Sequence, residues 1–166
     1  MVVSNAGLLT VGERLPERKF TVTLTDVVRY AGASGDFNPL HHDEAAARAA
    51  GMRGAFAHGM FSAGCLATAV TDAVGIESLA RFAVRFRAQA RLGATLTSKI
   101  VVSQRRSTDD GVTVELACEM LDEQAAVIVT GSVVLKPSGS LPCSDEPALS
   151  TPVAGAELIG RRLAPA

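Results

Sequence analysis

Between His58 and Gly75 the sequence carries a helical pattern that only an enclosing fold can accommodate. Met60, Phe61, Cys65, Leu66, Ala67, Ala69, Val70, Ala73 and Val74 cover most of its circumference. A helix that is apolar nearly all round and rich in small residues is one surrounded by protein. The residues C-terminal to it supply the wrapping. Phe82, Val84, Phe86, Ala88 and Ala90 alternate with Ala83, Arg85, Arg87 and Gln89, and Leu96, Ile100 and Val102 mark a second strand. Val112, Val114, Leu116, Cys118 and Met120 alternate with Thr113, Glu115 and Glu119, while the run 126–136 is apolar on both faces and suits a more central strand. Asp109-Asp110-Gly111 provides turn chemistry between two of them. Consecutive strands joined by short turns pair antiparallel, so the pattern predicts an α+β chain: a curved antiparallel sheet wrapped round one long buried helix.

Ahead of that helix, Phe20, Val22 and Leu24 alternate with Lys19, Thr21 and Thr23 as a strand. Thr25 then reads as a helix N-cap with Asp26 at the positive end of the dipole. Val27, Tyr30, Ala31 and Ser34 share one side of this helix, and Gly35 ends it. Asp43 caps a short alanine-rich helix running to Ala50, with Gly51 beyond. The folded domain is expected over residues 8–136. Residues 137–166 hold five of the seven prolines, four serines and no aromatic residue, the composition of a flexible tail.

Charge excludes several partners. Sixteen Lys and Arg against seventeen Asp and Glu give a net charge of −1, with no electrostatic footprint for nucleic acid or an anionic membrane. No apolar run approaches the roughly 20 residues that span a bilayer, and residues 1–15 lack the pattern of a signal peptide. Cys65, Cys118 and Cys143 are widely spaced, without a C-x-x-C pair, and read as reduced thiols. A cytoplasmic location is expected.

The chemistry-bearing residues cluster. His41, His42 and His58 lie within 18 residues, accompanied by Asp36, Asn38, Asp43 and Glu44. Pro39 biases Asn38 towards an extended backbone. Asp36 and His41 thus flank a rigid turn able to bring a carboxylate and an imidazole onto one shared water, a workable acid/base pair. The blander alternative makes Asp36 and Asn38 ordinary turn residues and His41 the partner of a buried carbonyl. A metal set of His41, His42 and Asp43 is weaker, because adjacent residues point apart and no H-E-x-x-H or cysteine set is present, so no metal is expected. In Ala57-His58-Gly59-Met60, at the start of the long helix, glycine lets a ligand approach unpartnered N–H groups at a positive dipole end. A substrate carbonyl at the Gly59 N–H would have developing negative charge stabilised. Alternatively, Gly59 only relieves crowding. Arg81, Arg85, Arg87 and Arg91 share the exposed face of one strand, either solvated or available to the phosphates of a carrier.

The run Tyr30-Ala31-Gly32-Ala33-Ser34-Gly35-Asp36-Phe37-Asn38-Pro39-Leu40-His41, with Ala57-His58-Gly59-Met60 after it, resembles the MaoC-like hydratase/dehydratase family. That family includes (R)-specific enoyl-CoA hydratases and (3R)-hydroxyacyl-acyl-carrier-protein dehydratases. The Val11-Gly12-Glu13-Arg14-Leu15-Pro16 lead-in looks like the dehydratase subunits that elongate very long acyl chains in actinobacteria. The resemblance covers about residues 8–136 and implies a hot-dog fold. It also implies syn hydration of a trans-2-enoyl thioester of CoA or acyl carrier protein to the (3R)-hydroxyacyl thioester, or the reverse, without metal or organic cofactor. Asp36 and His41 match the family's catalytic pair, Asn38 a residue supporting the catalytic loop, and Gly59 the position whose N–H meets the thioester oxygen. Ser62 falls near a position that contacts the pair or the substrate. The chain departs from the pattern at Leu92-Gly93-Ala94, where relatives often carry a Pro-Gly-Asp-like turn, and His42 matches no motif residue. One hot-dog sheet leaves an exposed edge, which implies a homodimer or a heterodimer with a related subunit. The rivals are a hot-dog thioesterase and a non-catalytic acyl-binding subunit, and the latter has no need of the Asp36–His41 pair.

Overall fold

The computed structural model describes residues 8–138. The apolar helix forms as α3 (Gly59–Val74), with His58 and Gly75 as its caps. Ahead of it come β1 (Lys19–Thr21), α1 (Leu24–Ser34), a 3₁₀ turn (Pro39–His41) and α2 (Glu44–Ala49). After it, β2 (Leu79–Phe86), β3 (Thr95–Thr108), β4 (Gly111–Leu121) and β5 (Val127–Leu135) build the sheet. The strand order is β1-β3-β4-β5-β2, with every neighbouring pair antiparallel. This is the expected sheet wrapped round one helix.

Leu66, Val70 and Val74 of α3 are buried to 1 % exposure or less. They pack in one cluster with Leu96, Ile100, Leu116, Met120 and Val133 from the sheet. Each such side chain contributes about 1.5–3 kcal/mol of burial. Gly131 of β5 lets the helix come close, since a Cβ there would stand 3.3 Å from both the Leu66 side chain and the Ala83 carbonyl. The enclosure is not complete. Met60, Gly64, Thr68 and Asp72 form an exposed row at i, i+4 spacing along α3, and Asp72 pairs with Arg18 there. Cys65 and Cys118 are buried and unpaired; burial pushes their thiols up to about 11 and about 12, so neither is a ready nucleophile.

Three expectations are corrected. The strand over Phe20–Leu24 stops at Thr21, and α1 is capped by Thr23 instead of Thr25, because the Thr23 hydroxyl accepts the Asp26 N–H while bonding the Asp26 carboxylate. This reciprocal pair resembles a capping box, and it draws Leu24 into the helix. Second, β2 does not pair with β3: it crosses to the far side and pairs with β5, which makes β2 an edge strand. Its expected alternation fails accordingly, and Phe86 is half exposed. Third, Arg81 and Arg85 lie on β2, but Arg87 and Arg91 lie beyond its end, so the four arginines do not form one strand face.

Other boundaries agree. Gly35 ends α1 at φ 74°, Asp43 caps α2, and Asp109 and Asp110 form the β3–β4 turn with Gly111 at its close. The chain continues to pair past Lys136, with Ser138 and Val112 exchanging both backbone hydrogen bonds. The tail expected over 137–166, and Cys143 within it, lie outside the described residues apart from the first two positions. No helix among the described residues is long and apolar enough to cross a membrane.

The tight seam at Gly131 yields a stability test. Gly131→Val should destabilise the domain by about 1–3 kcal/mol through overpacking against Leu66 and the Ala83 carbonyl. Urea unfolding with an unchanged m-value would show it, and wild-type stability would mean that α3 does not press on β5 there.

Candidate active site

Gly35, in the left-handed region after α1, turns the chain sharply into the loop that carries Asp36. Asn38 then caps the 3₁₀ turn, its Oδ1 accepting the Leu40 N–H at 3.0 Å, with Pro39 at the first turn position. Asp36 Oδ1 accepts the Asn38 N–H at 3.3 Å. The residues that looked like turn formers do form the turn, and the turn aims Asp36 and His41 at each other.

His41 is held firmly. Only 8 % exposed, it stands with Nδ1 2.8 Å from the Phe56 carbonyl and its ring edge-on to the Phe56 ring. A carbonyl only accepts, so Nδ1 carries the hydrogen, and Nε2 of the neutral ring presents its lone pair. That Nε2 lies 3.9 Å from Asp36 Oδ2, too far for a direct hydrogen bond. A water oxygen about 2.8 Å from both atoms subtends roughly 90° between them, a normal angle for one molecule bonded to two acceptors. The expected sharing of one water is therefore geometrically available.

Two residues outside the expected pair complete the arrangement. His58, 2 % exposed, stacks on His41 with ring centroids 3.8 Å apart, and its Nε2 lies 2.9 Å from the Asp36 carbonyl. Glu44 fastens the segment leading to His58: its carboxylate accepts the Ala55 N–H at 2.8 Å and the Arg48 guanidinium at 2.7 Å. The Ala55 bond first and Arg48 second hold this carboxyl below its usual range. Gly54, at φ 152°, leaves room for it, since a Cβ there would collide with the Glu44 carboxylate. Spacing alone gave no signal for either contact, because each joins segments brought together only by the fold.

At the start of α3 the Gly59 N–H has no partner among the described residues, while the Phe61 and Ser62 N–H groups both reach the His58 carbonyl. Gly59 and Ser62 line a cavity of about 300 Å³ with Phe56, Ala57, Ala90 and Val129. The Gly59 backbone also lies close to β2, where a Cβ would stand 3.3 Å from the Phe86 ring. A second cavity of about 430 Å³ shares Phe56, Ala88, Gln89 and Ile128 with the first and carries Arg53 and Arg91.

Asp36, His41 and His58 place metal-type ligand atoms within 4.8 Å of one another. One ring nitrogen of each histidine is already held by a backbone carbonyl, His41 Nδ1 by Phe56 and His58 Nε2 by Asp36. The other metal set, His41 with His42 and Asp43, is not brought together: His42 Nε2 faces the Phe37 carbonyl and Asp43 caps α2.

A hot-dog sheet round a buried helix thus carries a carboxylate–imidazole pair that packs against His58, the residue at that helix's N-terminus. The chain matches the MaoC like domain family over residues 9–124, and it belongs to that family. Among curated proteins it is 27% identical over 117 residues to an (R)-specific enoyl-CoA hydratase of Rhodospirillum rubrum, covering 69% of this chain and 79% of that one. Among solved structures, the (R)-hydratase from A. caviae involved in PHA biosynthesis superposes with a TM-score of 0.71 at 26% identity, over 80% of this chain and 99% of that one. The ChsH1-ChsH2 complex from Mycobacterium tuberculosis gives a TM-score of 0.68 at 27% identity, over 78% and 99% of the two chains.

The pair generates a direct test. Asp36→Asn and His41→Ala should each lower turnover roughly 10²–10⁴-fold, the usual contribution of a positioned acid or base, with unchanged circular dichroism. Turnover within a few-fold of wild type in either variant would remove that residue from the chemistry.

Proposed function

We propose that the protein is a hydro-lyase that adds water across the double bond of a trans-2-enoyl thioester, giving the (3R)-hydroxyacyl thioester, and catalyses the reverse elimination. The observation that carries this reading is the 3.9 Å separation of His41 Nε2 and Asp36 Oδ2, a gap one water can span, with His41 packed on His58 just ahead of Gly59, whose N–H has no partner among the described residues.

In hydration the shared water attacks C3 while the pair takes one of its protons. Negative charge moves through C2 onto the thioester oxygen, where the Gly59 N–H and the dipole of α3 stabilise it. The pair returns one proton to C2 and ends in its starting protonation state. Proton and hydroxyl thus arrive from the same face, which is syn addition. Asn38 acts by fixing the turn, and Ser62 lines the acyl cavity together with Phe56 and Val129. The adjoining cavity, where Arg53 and Arg91 stand with Asp122 and Glu123, receives the arm of a CoA or acyl-carrier thioester. A thioesterase would instead aim its water at the carbonyl carbon. Crotonyl-CoA separates the two: loss of the enoyl absorbance without free thiol supports hydration, release of thiol marks hydrolysis, and neither leaves an acyl-binding subunit.

Gly59 bears the oxygen-binding role. Gly59→Val places a branched side chain against Phe86 and into the acyl cavity, and turnover should fall on the order of a hundredfold, comparable with losing an oxyanion donor. Gly59→Ala should be milder. Near-normal turnover of Gly59→Val at an unchanged melting temperature would exclude this oxygen site.

The free side of β2 makes dimerisation part of the proposal. The outer edge of Leu79–Phe86 is unpaired among the described residues, and half-exposed Phe86 lies beside Gly59. Joining this edge to a second copy, or to a related hot-dog subunit, removes an aggregation liability and shelters the mouth of the cavity. Light scattering should report a dimer at micromolar concentration. A fully active monomer would contradict the proposal.

A further inference from the structure

His58 combines three features in one residue. Its backbone is the N-cap of α3, so the Gly59 N–H comes directly after it. Its Nε2 lies 2.9 Å from the Asp36 carbonyl, 22 residues earlier in the chain. Its ring lies against His41 at 3.8 Å and against Tyr30 at 5.0 Å. Since a carbonyl only accepts, Nε2 bears the hydrogen, and the neutral ring leaves Nδ1 as a bare lone pair. That Nδ1 is buried and has no partner among the described residues. Leaving a buried polar atom unpaired is unfavourable, and a phenylalanine or leucine would fill the space without that cost. Packing alone therefore does not account for an imidazole here. What the imidazole supplies, and an apolar side chain does not, is the N–H to Asp36.

Resting on the hydratase reading above, we propose that His58 is the positioning residue that sets the acid/base pair at its distance from the thioester oxygen site. One bond holds the backbone of the carboxylate residue. One ring face supports the imidazole, whose other anchor is the Phe56 carbonyl two residues before His58. Both are referred to the residue that opens α3 and presents the Gly59 N–H. Asp36 needs this tether because it sits in an exposed loop with its carboxylate half exposed. With its Nε2 hydrogen committed to the Asp36 carbonyl, His58 acts through the pair and not on substrate.

The test compares His58→Phe with His58→Gln on a trans-2-enoyl-CoA. Phenylalanine keeps a flat ring against His41 but loses the donor, whereas the glutamine amide nitrogen stands near the position of Nε2 and donates to the same carbonyl. His58→Phe should lose up to ~10²-fold in kcat, the scale of a misplaced catalytic group, with KM changed less than about threefold. Its melting temperature should stay close to wild type, because removing the unpaired lone pair offsets the lost bond to Asp36. His58→Gln should recover at least tenfold of the lost kcat. Hydrogen exchange at the Leu40 and His41 amides gives a readout independent of turnover: faster in His58→Phe, restored in His58→Gln. Wild-type kcat in His58→Phe, equal losses in both variants, or exchange unchanged in His58→Phe would each overturn the proposal. If the wild type does not hydrate the enoyl thioester, the functional reading fails, and the exchange comparison still decides the role of His58.

Discussion

Helix α3 must be buried along most of its length and left open at its first residue. Leu66, Val70 and Val74 demand the sheet that curves round them, while the Gly59 N–H at the helix start stays without a partner among the described residues. The same packing that stabilises the fold fixes the position of that N–H, the donor proposed for the thioester oxygen. The small residues of the seam serve this closeness, with Gly131 admitting Leu66 to the sheet and Gly59 lying beside the Phe86 ring.

The proposed acid/base pair is divided between a rigid partner and a tethered one. His41 is buried, bonded at Nδ1 to Phe56 and stacked on His58, so its tautomer and ring plane are both set. Asp36 keeps its carboxylate half exposed, and its backbone is anchored by His58 and its turn by Asn38. Glu44 and Arg48 secure the segment before His58 from outside the cavity.

Much of this was legible in the sequence, and the gaps have physical causes. The extent of α3 could be read because its apolar pattern is long and its flanking residues, His58 and Gly75, are its caps. Asp36 and His41 could be paired because a proline turn is local chemistry. The crossing of β2 to β5 could not be read, because alternation says which face of a strand is buried but not which strand lies beside it. Phe86 was misplaced for the same reason: on an edge strand the inward pattern is only partly covered. At α1, Thr23 and Thr25 have equal capping chemistry, and the reciprocal bond with Asp26 decides between them. The roles of His58 and Glu44 depend on contacts across 22 and 11 residues, which composition and spacing do not encode.

A single pair acting through one water on one face of the substrate has a stereochemical signature. Hydration of crotonyl-CoA in D₂O, with chiral separation and NMR of the 3-hydroxybutyryl product, reads it directly. The expected product is the (3R) alcohol with deuterium at C2 and the new hydroxyl at C3 added to the same face. Anti addition, a (3S) product or free butenoic acid would contradict it.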